Sequence, residues 1–192
     1  GFDFPGLGSS EGCFSEPTFS TNVDDLYRAA QYLESIAEGP QILIGHSLGG
    51  AAAIRAASLI ESIRAVATIG APADPSHVAH LLDAKREEID TKGEATVAIA
   101  KRDFLIKKAF IDDLNAIPME EATRQLGKAL LILHSPVDET VGIENAAKIY
   151  ERALYPKSFI SLDHADHLLT SPKDSVYAGR TIASWTERYL TP

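Results

Sequence analysis

Three residue types that together support nucleophilic catalysis occur in one order along this chain of 192 residues. Ser47 stands at the centre of a Gly-x-Ser-x-Gly motif, Asp138 lies downstream, and His164 and His167 follow. A serine hydroxyl is a weak nucleophile until a base removes its proton, and a carboxylate orients that base. Serine, then acid, then histidine is the order that accompanies this serine motif. The residues therefore predict acyl transfer through a serine nucleophile.

The neighbours of Ser47 predict a sharp turn that exposes its hydroxyl. Residues 41–44 form a short apolar run typical of a buried strand, and an alanine-rich run typical of a helix follows the motif, to about residue 62. We expect Gly45 and Gly49 to let strand and helix approach each other without side-chain clashes. The backbone N–H of Leu48, the residue after the nucleophile, is then a predicted donor to a developing oxyanion.

The predicted acid and base follow later strands of the same sheet. Residues 65–69, 129–134 and 158–162 are apolar runs that predict three further strands, and Asp138 comes shortly after the second of them. Alternating strands and helices favour an α/β fold with a mostly parallel, doubly wound sheet, whose ligand crevice lies beyond the carboxyl ends of the strands. We therefore expect Ser47, Asp138 and a histidine after residue 162 to meet at that edge.

Alternatives to two of these assignments remain open on the residues alone. His164 and His167 follow the same predicted strand, and either could be the base, although the apolar pair after His167 can anchor its loop. Asp138 is favoured as the acid, because two of its competitors are too near the histidines in sequence to reach the far ring nitrogen easily. The competing carboxylates are Glu139, Asp163 and Asp166.

Taken together, the chain resembles the α/β-hydrolase fold family, and within it the hydrolase portion of proteins that join such a domain to an OsmC-type peroxide-reducing domain. The resemblance covers essentially the whole chain. It implies a serine hydrolase that cleaves carboxylic esters through an acyl-enzyme, with Ser47 as nucleophile, Asp138 as acid and His167 as base. Thioester or amide hydrolysis and a non-catalytic module are the alternatives. The stretches that carry the resemblance are residues 3–12, 44–50, 67–72, 134–138 and 165–169.

Two features depart from the family pattern. The family has further strands before the one expected at residues 1–4, and a loop among them supplies a second oxyanion donor. We therefore expect either a fragment of a longer protein or a donor supplied from elsewhere. We also expect an open sheet edge beside residues 1–4 that favours association into a homo-oligomer. Moreover, the 192 residues do not include an OsmC-type domain.

Composition indicates one soluble globular domain over residues 1–192. A net charge of −9 disfavours nucleic acid and anionic membranes as partners, and no apolar run approaches the length of a membrane helix. The single cysteine, Cys13, cannot form an internal disulfide, which suits the cytoplasm. The expected partner is a small ester substrate, and the chemistry requires neither a cofactor nor a metal.

Residues 74–127 interrupt the alternation of strands and helices, and in the resembling family a lid is inserted here. We expect this segment to contain a charged helix near 83–88, a hairpin from 95–100 and 104–106, and helices at 110–115 and 119–126. We also predict that it covers the active site. The predicted pocket residues are His46, Val97, Ile99, Phe104 and Phe110.

Other histidines have less specific roles in this interpretation. His77 and His80 share a predicted helix face, but a metal site needs three or four ligands, so we expect polar residues of the lid there. His134 ends a predicted buried strand, and we expect it to make a structural hydrogen bond. The helices predicted elsewhere are residues 22–37, 145–154 and 175–190.

Overall fold

A four-stranded parallel sheet forms the centre of the fold, in a computed structural model that describes residues 1, 3–13, 15–76, 84–99 and 102–190. The strands along the chain are β1 (Ile42–His46), β2 (Ala65–Ile69), β3 (Glu94–Ile99), β4 (Arg102–Lys107), β5 (Ala129–His134) and β6 (Lys157–Ser161). The central sheet has the order β1-β2-β5-β6, and a separate antiparallel hairpin pairs β3 with β4. The predicted α/β fold with a mostly parallel sheet is therefore confirmed.

Helices connect the strands and cover both faces of the sheet. In the described part of the chain they are α1 (Phe19–Ile36), α2 (Leu48–Ala57), α3 (Arg86–Lys92), α4 (Lys108–Ala116), α5 (Met119–Arg124), α6 (Glu144–Arg152) and α7 (Pro172–Thr186), followed by a 3₁₀ turn at Glu187–Tyr189. None of these helices combines the length and the apolar character that crossing a bilayer requires.

The alternation of side chains along β5 divides the core into two layers. Leu130 and Ile132 point into the larger cluster, which α1, α2, α6 and the hairpin region also fill. Leu131 and Leu133 point to the opposite face, where Ala178 and other residues of α7 pack. Because successive side chains of a strand face opposite sides, a strand that is apolar throughout needs cover on both faces. Every residue of β5 is buried accordingly.

Two strands match their predicted bounds residue for residue, namely β2 and β5. The helix predicted from the serine motif to about residue 62 is shorter, because α2 ends at Ala57 and Ser58 caps it. The hydroxyl of Ser58 donates to the carbonyl of Arg55 at 3.0 Å, a local bond that competes with continuation of the helix. The helix predicted over 22–37 begins earlier, at Phe19, where Thr18 and Thr21 form a capping box.

The strand predicted at residues 1–4 is wrong for the described residues of that stretch. Gly1, Asp3 and Phe4 lie outside any strand, and β1 is an edge strand of the described sheet. The backbone carbonyl of Asp3 accepts a hydrogen bond from the Ser10 hydroxyl instead of a strand partner. Its carboxylate accepts the backbone N–H of Ser9 at 3.0 Å. Both of these hydrogen bonds therefore join Asp3 to the loop that follows it.

The segment between β2 and β5 contains α3, the hairpin, α4 and α5, as the sequence predicts in outline. It is tied to the rest of the chain at the start of α1. The carboxylate of Asp113, in α4, accepts the backbone N–H of Ser20 at 2.7 Å and the Ser20 hydroxyl at 2.6 Å. The assignment of residues 74–127 as a lid stays a prediction.

Candidate active site

Ser47 lies in a strained turn between β1 and α2. Its φ of 52° and ψ of −129° place a residue with a side chain in a region that L-residues rarely adopt. Such conformations cost about 1–3 kcal/mol and persist only where the surroundings enforce them. Here the N–H of Ser47 donates to the carbonyl of Ile69 at 2.8 Å, which ties the turn to the end of β2. The strain is therefore localised at the predicted nucleophile.

Close approach of strand and helix at this turn depends on Gly45 and Gly50. A Cβ at Gly45 would lie 2.2 Å from the carbonyl oxygen of Gly49, and a Cβ at Gly50 would lie 2.7 Å from the Cβ of Ala71. A Cβ at Gly49 would meet nothing nearer than a ring atom of Phe4 at 3.7 Å. The prediction that Gly49 lets the strand and the helix approach each other is therefore wrong. In the first turn of α2 it is residue 50 that lies against the neighbouring segment of the chain.

Leu48 is the first residue of α2, directly after Ser47. The first N–H groups of a helix have no acceptor within the helix, and they carry the positive end of its dipole. The N–H of Leu48 is one of these groups, so it can donate to a negative charge that develops beside the serine.

Asp138 lies in the loop after β5, with a side chain only 2% exposed. One carboxylate oxygen, Oδ1, accepts the backbone N–H groups of Thr140 and Val141, each at 2.9 Å. The other oxygen, Oδ2, is 2.7 Å from Nδ1 of His167. The loop therefore holds the carboxylate from one side and leaves its second oxygen for the imidazole.

His167 lies in the loop after β6 and joins Asp138 to Ser47. Its Nε2 is 3.0 Å from Oγ of Ser47, while its Nδ1 contacts Asp138. The carboxylate can only accept, so Nδ1 carries the proton and Nε2 is the free base that accepts from the serine hydroxyl. The structure thus brings together three residues that lie up to 120 positions apart.

The competing residues lie elsewhere. His164 and Glu139 are exposed. Asp163 accepts the hydroxyl of Ser161 at 2.8 Å, and Asp166 accepts the backbone N–H of Thr170 at 2.8 Å. These bonds engage both carboxylates with residues close to them in the chain.

The environment of Asp138 keeps the carboxyl group ionised. Burial raises the pKa of Asp138, but the hydrogen bond from His167 and the backbone N–H groups of Val141 and Thr140 together outweigh burial and leave that pKa below its ordinary value. A negative Asp138 stabilises a positive charge on His167 when the imidazole accepts a proton. The arrangement can therefore serve general base catalysis at Ser47.

Gly70 adjoins this pair and was missed by sequence reasoning. It follows β2 with φ +55°, and a Cβ there would lie 3.2 Å from Oδ2 of Asp138 and 3.3 Å from Nδ1 of His167. The sequence feature that could have indicated Gly70 is its place directly after a buried strand, because the strand ends of a parallel sheet form the ligand crevice. Its lack of a side chain makes room for the Asp138–His167 contact.

His134 stabilises the loop that carries Asp138. Its buried ring donates from Nε2 to the carbonyl of Val141 at 2.7 Å, which confirms the predicted structural hydrogen bond. The same nitrogen is 3.7 Å from Oδ2 of Asp138. The last residue of β5 thus fixes the loop that carries Asp138.

The predicted pocket residues divide between the core and the site. Val97 and Phe110 are buried in the larger core cluster, and Phe104 packs against that cluster. The side chain of Ile99 lies outside the part of the chain that the structure describes. His46 is exposed and contacts His167. Binding of an acyl group by these residues stays a prediction.

Among the described residues, no group of three or more histidine, cysteine, aspartate or glutamate side chains could hold a metal ion. His77 and His80, the pair weighed as ligands above, lie outside the described residues.

Comparison with known proteins gives matches over nearly the whole chain. The model of the alpha/beta hydrolase family matches residues 1–190. Mouse palmitoyl-protein thioesterase ABHD10, a mitochondrial protein, is 29% identical over 180 residues, which are 90% of this chain and 60% of that protein. The chain thus spans about 60% of the length of this curated relative.

Solved structures agree with that match. The esterase domain of a Rhodothermus marinus protein is 45% identical, with a TM-score of 0.81, and the match covers 99% of this chain and 74% of that one. The structure of mouse ABHD10 is 27% identical, with a TM-score of 0.73, and the match covers 98% of this chain and 77% of that one.

Proposed function

The chain belongs to the alpha/beta hydrolase family, and from that membership we propose that it is a serine hydrolase that cleaves carboxylic esters through an acyl-enzyme. One observation carries the proposal: His167 lies 3.0 Å from Oγ of Ser47 and 2.7 Å from Asp138, at the strained turn after β1. The similarity to an esterase domain at 45% identity supports the choice of ester substrates.

The proposed reaction begins at Ser47. His167 Nε2 takes the proton of the hydroxyl as Oγ attacks the ester carbonyl carbon, and Asp138 stabilises the imidazolium that forms. The N–H of Leu48 donates to the oxyanion of the tetrahedral intermediate. The imidazolium then gives its proton to the leaving alkoxy group, so an alcohol departs and an acyl-enzyme remains.

Deacylation repeats these steps with water as the nucleophile. His167 takes a proton from the water as its oxygen attacks the acyl carbon, and then returns a proton to Oγ of Ser47. The carboxylic acid leaves and the free serine is restored. The chain's own residues balance every proton transfer, so no cofactor is needed in the proposed mechanism.

Thioester hydrolysis is the second candidate, because a relative at 29% identity is named as a palmitoyl-protein thioesterase. Ser47 would attack a thioester carbonyl with the same help from His167 and Asp138, since the triad does not select the leaving atom. Measuring kcat/KM on oxygen and sulfur esters of one acyl chain distinguishes the two candidates. A clear preference for the sulfur ester at equal chain length would favour the thioesterase.

The test of the proposal is Ser47→Ala. We expect it to remove hydrolysis of short p-nitrophenyl esters and labelling by a fluorophosphonate probe, while circular dichroism stays unchanged. Ser58→Ala is a matched control, because Ser58 caps α2 at the end away from the site; we expect this variant to label like the wild type. Labelling that survives in Ser47→Ala, or a folded wild-type chain that neither hydrolyses nor labels, would refute the proposal. The latter result would favour a non-catalytic module.

The finer resemblance to the hydrolase portion of two-domain proteins with an OsmC-type domain is likewise a proposal. Its support is the set of stretches quoted above, and its test is the genomic reading frame that encodes residues 1–192. A frame that continues into an OsmC-type domain is the expected result, and a frame that ends without one contradicts it.

A further inference from the structure

We propose that His46 is a positioning residue, which holds His167 within reach of Ser47 by donating a hydrogen bond to the backbone carbonyl of His167. This inference rests on the proposed function, since it assigns His167 as the base. His46 and Ser47 are adjacent in the chain, yet each contacts a different part of the same distant residue. The nucleophile turn therefore holds the base at two points.

The hydrogen bond fixes the chemistry of the His46 ring. Nε2 of His46 lies 2.6 Å from the carbonyl oxygen of His167, and a carbonyl can only accept. His46 thus carries its proton on Nε2 and donates it to that oxygen. Because this single N–H is already engaged, His46 cannot also donate it to a substrate.

The charge state of His46 suits a position beside a base. Partial desolvation of the ring lowers the pKa of His46, although the residue stays exposed, and the imidazole of His167 lowers that pKa further when it is protonated. Its hydrogen bond to the His167 carbonyl and the Asp138 carboxylate act in the opposite direction without cancelling the decrease. A neutral His46 adds no positive charge beside the imidazolium that His167 becomes during the reaction.

The loop that carries His167 needs such support. Leu169, two residues on, has φ 50°, a conformation that is unfavourable for a leucine. The rings of His46 and His167 lie 4.8 Å apart between centroids, tilted by 49°, so His46 contacts the ring of His167 as well as its backbone. Without the bond from His46, we expect the loop to open more often and the imidazole to leave the serine.

Three substitutions separate the hydrogen bond from the bulk of the ring. His46→Gln keeps a neutral N–H at about the reach of Nε2, His46→Asn carries the same amide one methylene shorter, and His46→Leu removes the donor. The readouts are kcat and KM on a p-nitrophenyl ester, the rate of fluorophosphonate labelling at Ser47, and hydrogen exchange of the peptide that spans residues 163–169.

We expect Gln to stay within about twofold of wild type in all three readouts. Asn and Leu should each lower kcat and the labelling rate by about fivefold, with little change in KM, since one neutral hydrogen bond is worth about that factor. They should also raise exchange at 163–169 by a similar factor, with an unchanged melting temperature for the rest of the fold.

Wild-type rates and exchange in Asn and Leu would overturn the proposal, and so would a Gln variant that behaves like Leu. Exchange does not depend on hydrolysis, so it tests the positioning role even in a chain that proves inactive. Inactivity of the wild type, or hydrolysis that survives Ser47→Ala, refutes the proposed function instead.

Discussion

Gly70→Ala is a sharp perturbation of the site, because it adds one carbon atom beside the acid and the base. The new Cβ would lie 3.2 Å from Oδ2 of Asp138 and 3.3 Å from Nδ1 of His167. Contacts this short require the neighbours to move by a few tenths of an ångström. Hydrogen bonds of 2.7 and 3.0 Å hold His167 at both ends of its ring, so such a movement lengthens at least one of them.

The expected size of the effect follows from two separate causes. Residue 70 has φ +55°, and a side chain in the left-handed region costs about 1–2 kcal/mol of stability. For a domain of this size that corresponds to a decrease in Tm of roughly 2–8 °C. A misplacement of 1 Å can cost about a hundredfold in rate, so a shift of a few tenths should lower kcat by about tenfold at most.

Gly93→Ala provides the matched control. Gly93 has φ +82°, and a Cβ at this residue would meet no atom within 4 Å, so the substitution carries the backbone cost without the contact at the site. We expect both variants to lose similar stability in thermal unfolding, and Gly70→Ala alone to lose kcat on a p-nitrophenyl ester. Equal kcat in the two variants would refute the reasoning, because it would mean that Asp138 and His167 accommodate the Cβ without moving.

Four other predictions concern the contacts of Asp138, the turn at Ser47 and the predicted acyl pocket. Asp138→Asn should lower kcat by about 10⁴-fold, because the amide favours the wrong imidazole tautomer, whereas Asp166→Asn should leave kcat within about twofold. Since folding holds the pKa of Asp138 below 3.8, its stabilising contribution is present above that value and is lost as the pH falls further. Urea unfolding from pH 5 to pH 3 should thus show a steeper loss in wild type than in Asp138→Asn. Gly49→Ala should fold with unchanged or higher Tm, while Gly45→Ala, with a Cβ 2.2 Å from a carbonyl oxygen, should not yield folded protein by circular dichroism. Phe104→Ala should lower kcat/KM on long acyl esters more than on acetate esters, by about 0.8 kcal/mol for each CH₂ that is no longer buried. Equal losses of kcat/KM on long and short esters would indicate that Phe104 supports the fold and does not bind the acyl chain.

Local patterns in the sequence determined much of this architecture. The apolar runs at β2 and β5 are long enough and rich enough in branched residues to predict these strands to the residue. The motif around Ser47 predicted the strained turn, since its chemistry depends on neighbouring residues in the chain. Chain order and the parallel sheet then placed Asp138 and a histidine at the same edge, because each follows a strand that ends there.

Contacts between distant segments decided the rest. The approach of α2 to the end of β2 determined that Gly50, not Gly49, provides clearance. The path of the loop after β6 put His167 rather than His164 beside Ser47, 120 residues away. The empty space at Gly70 and the bond from His46 to the His167 carbonyl have no signature in local periodicity. Such features depend on distances between side chains that only the packed sheet brings together.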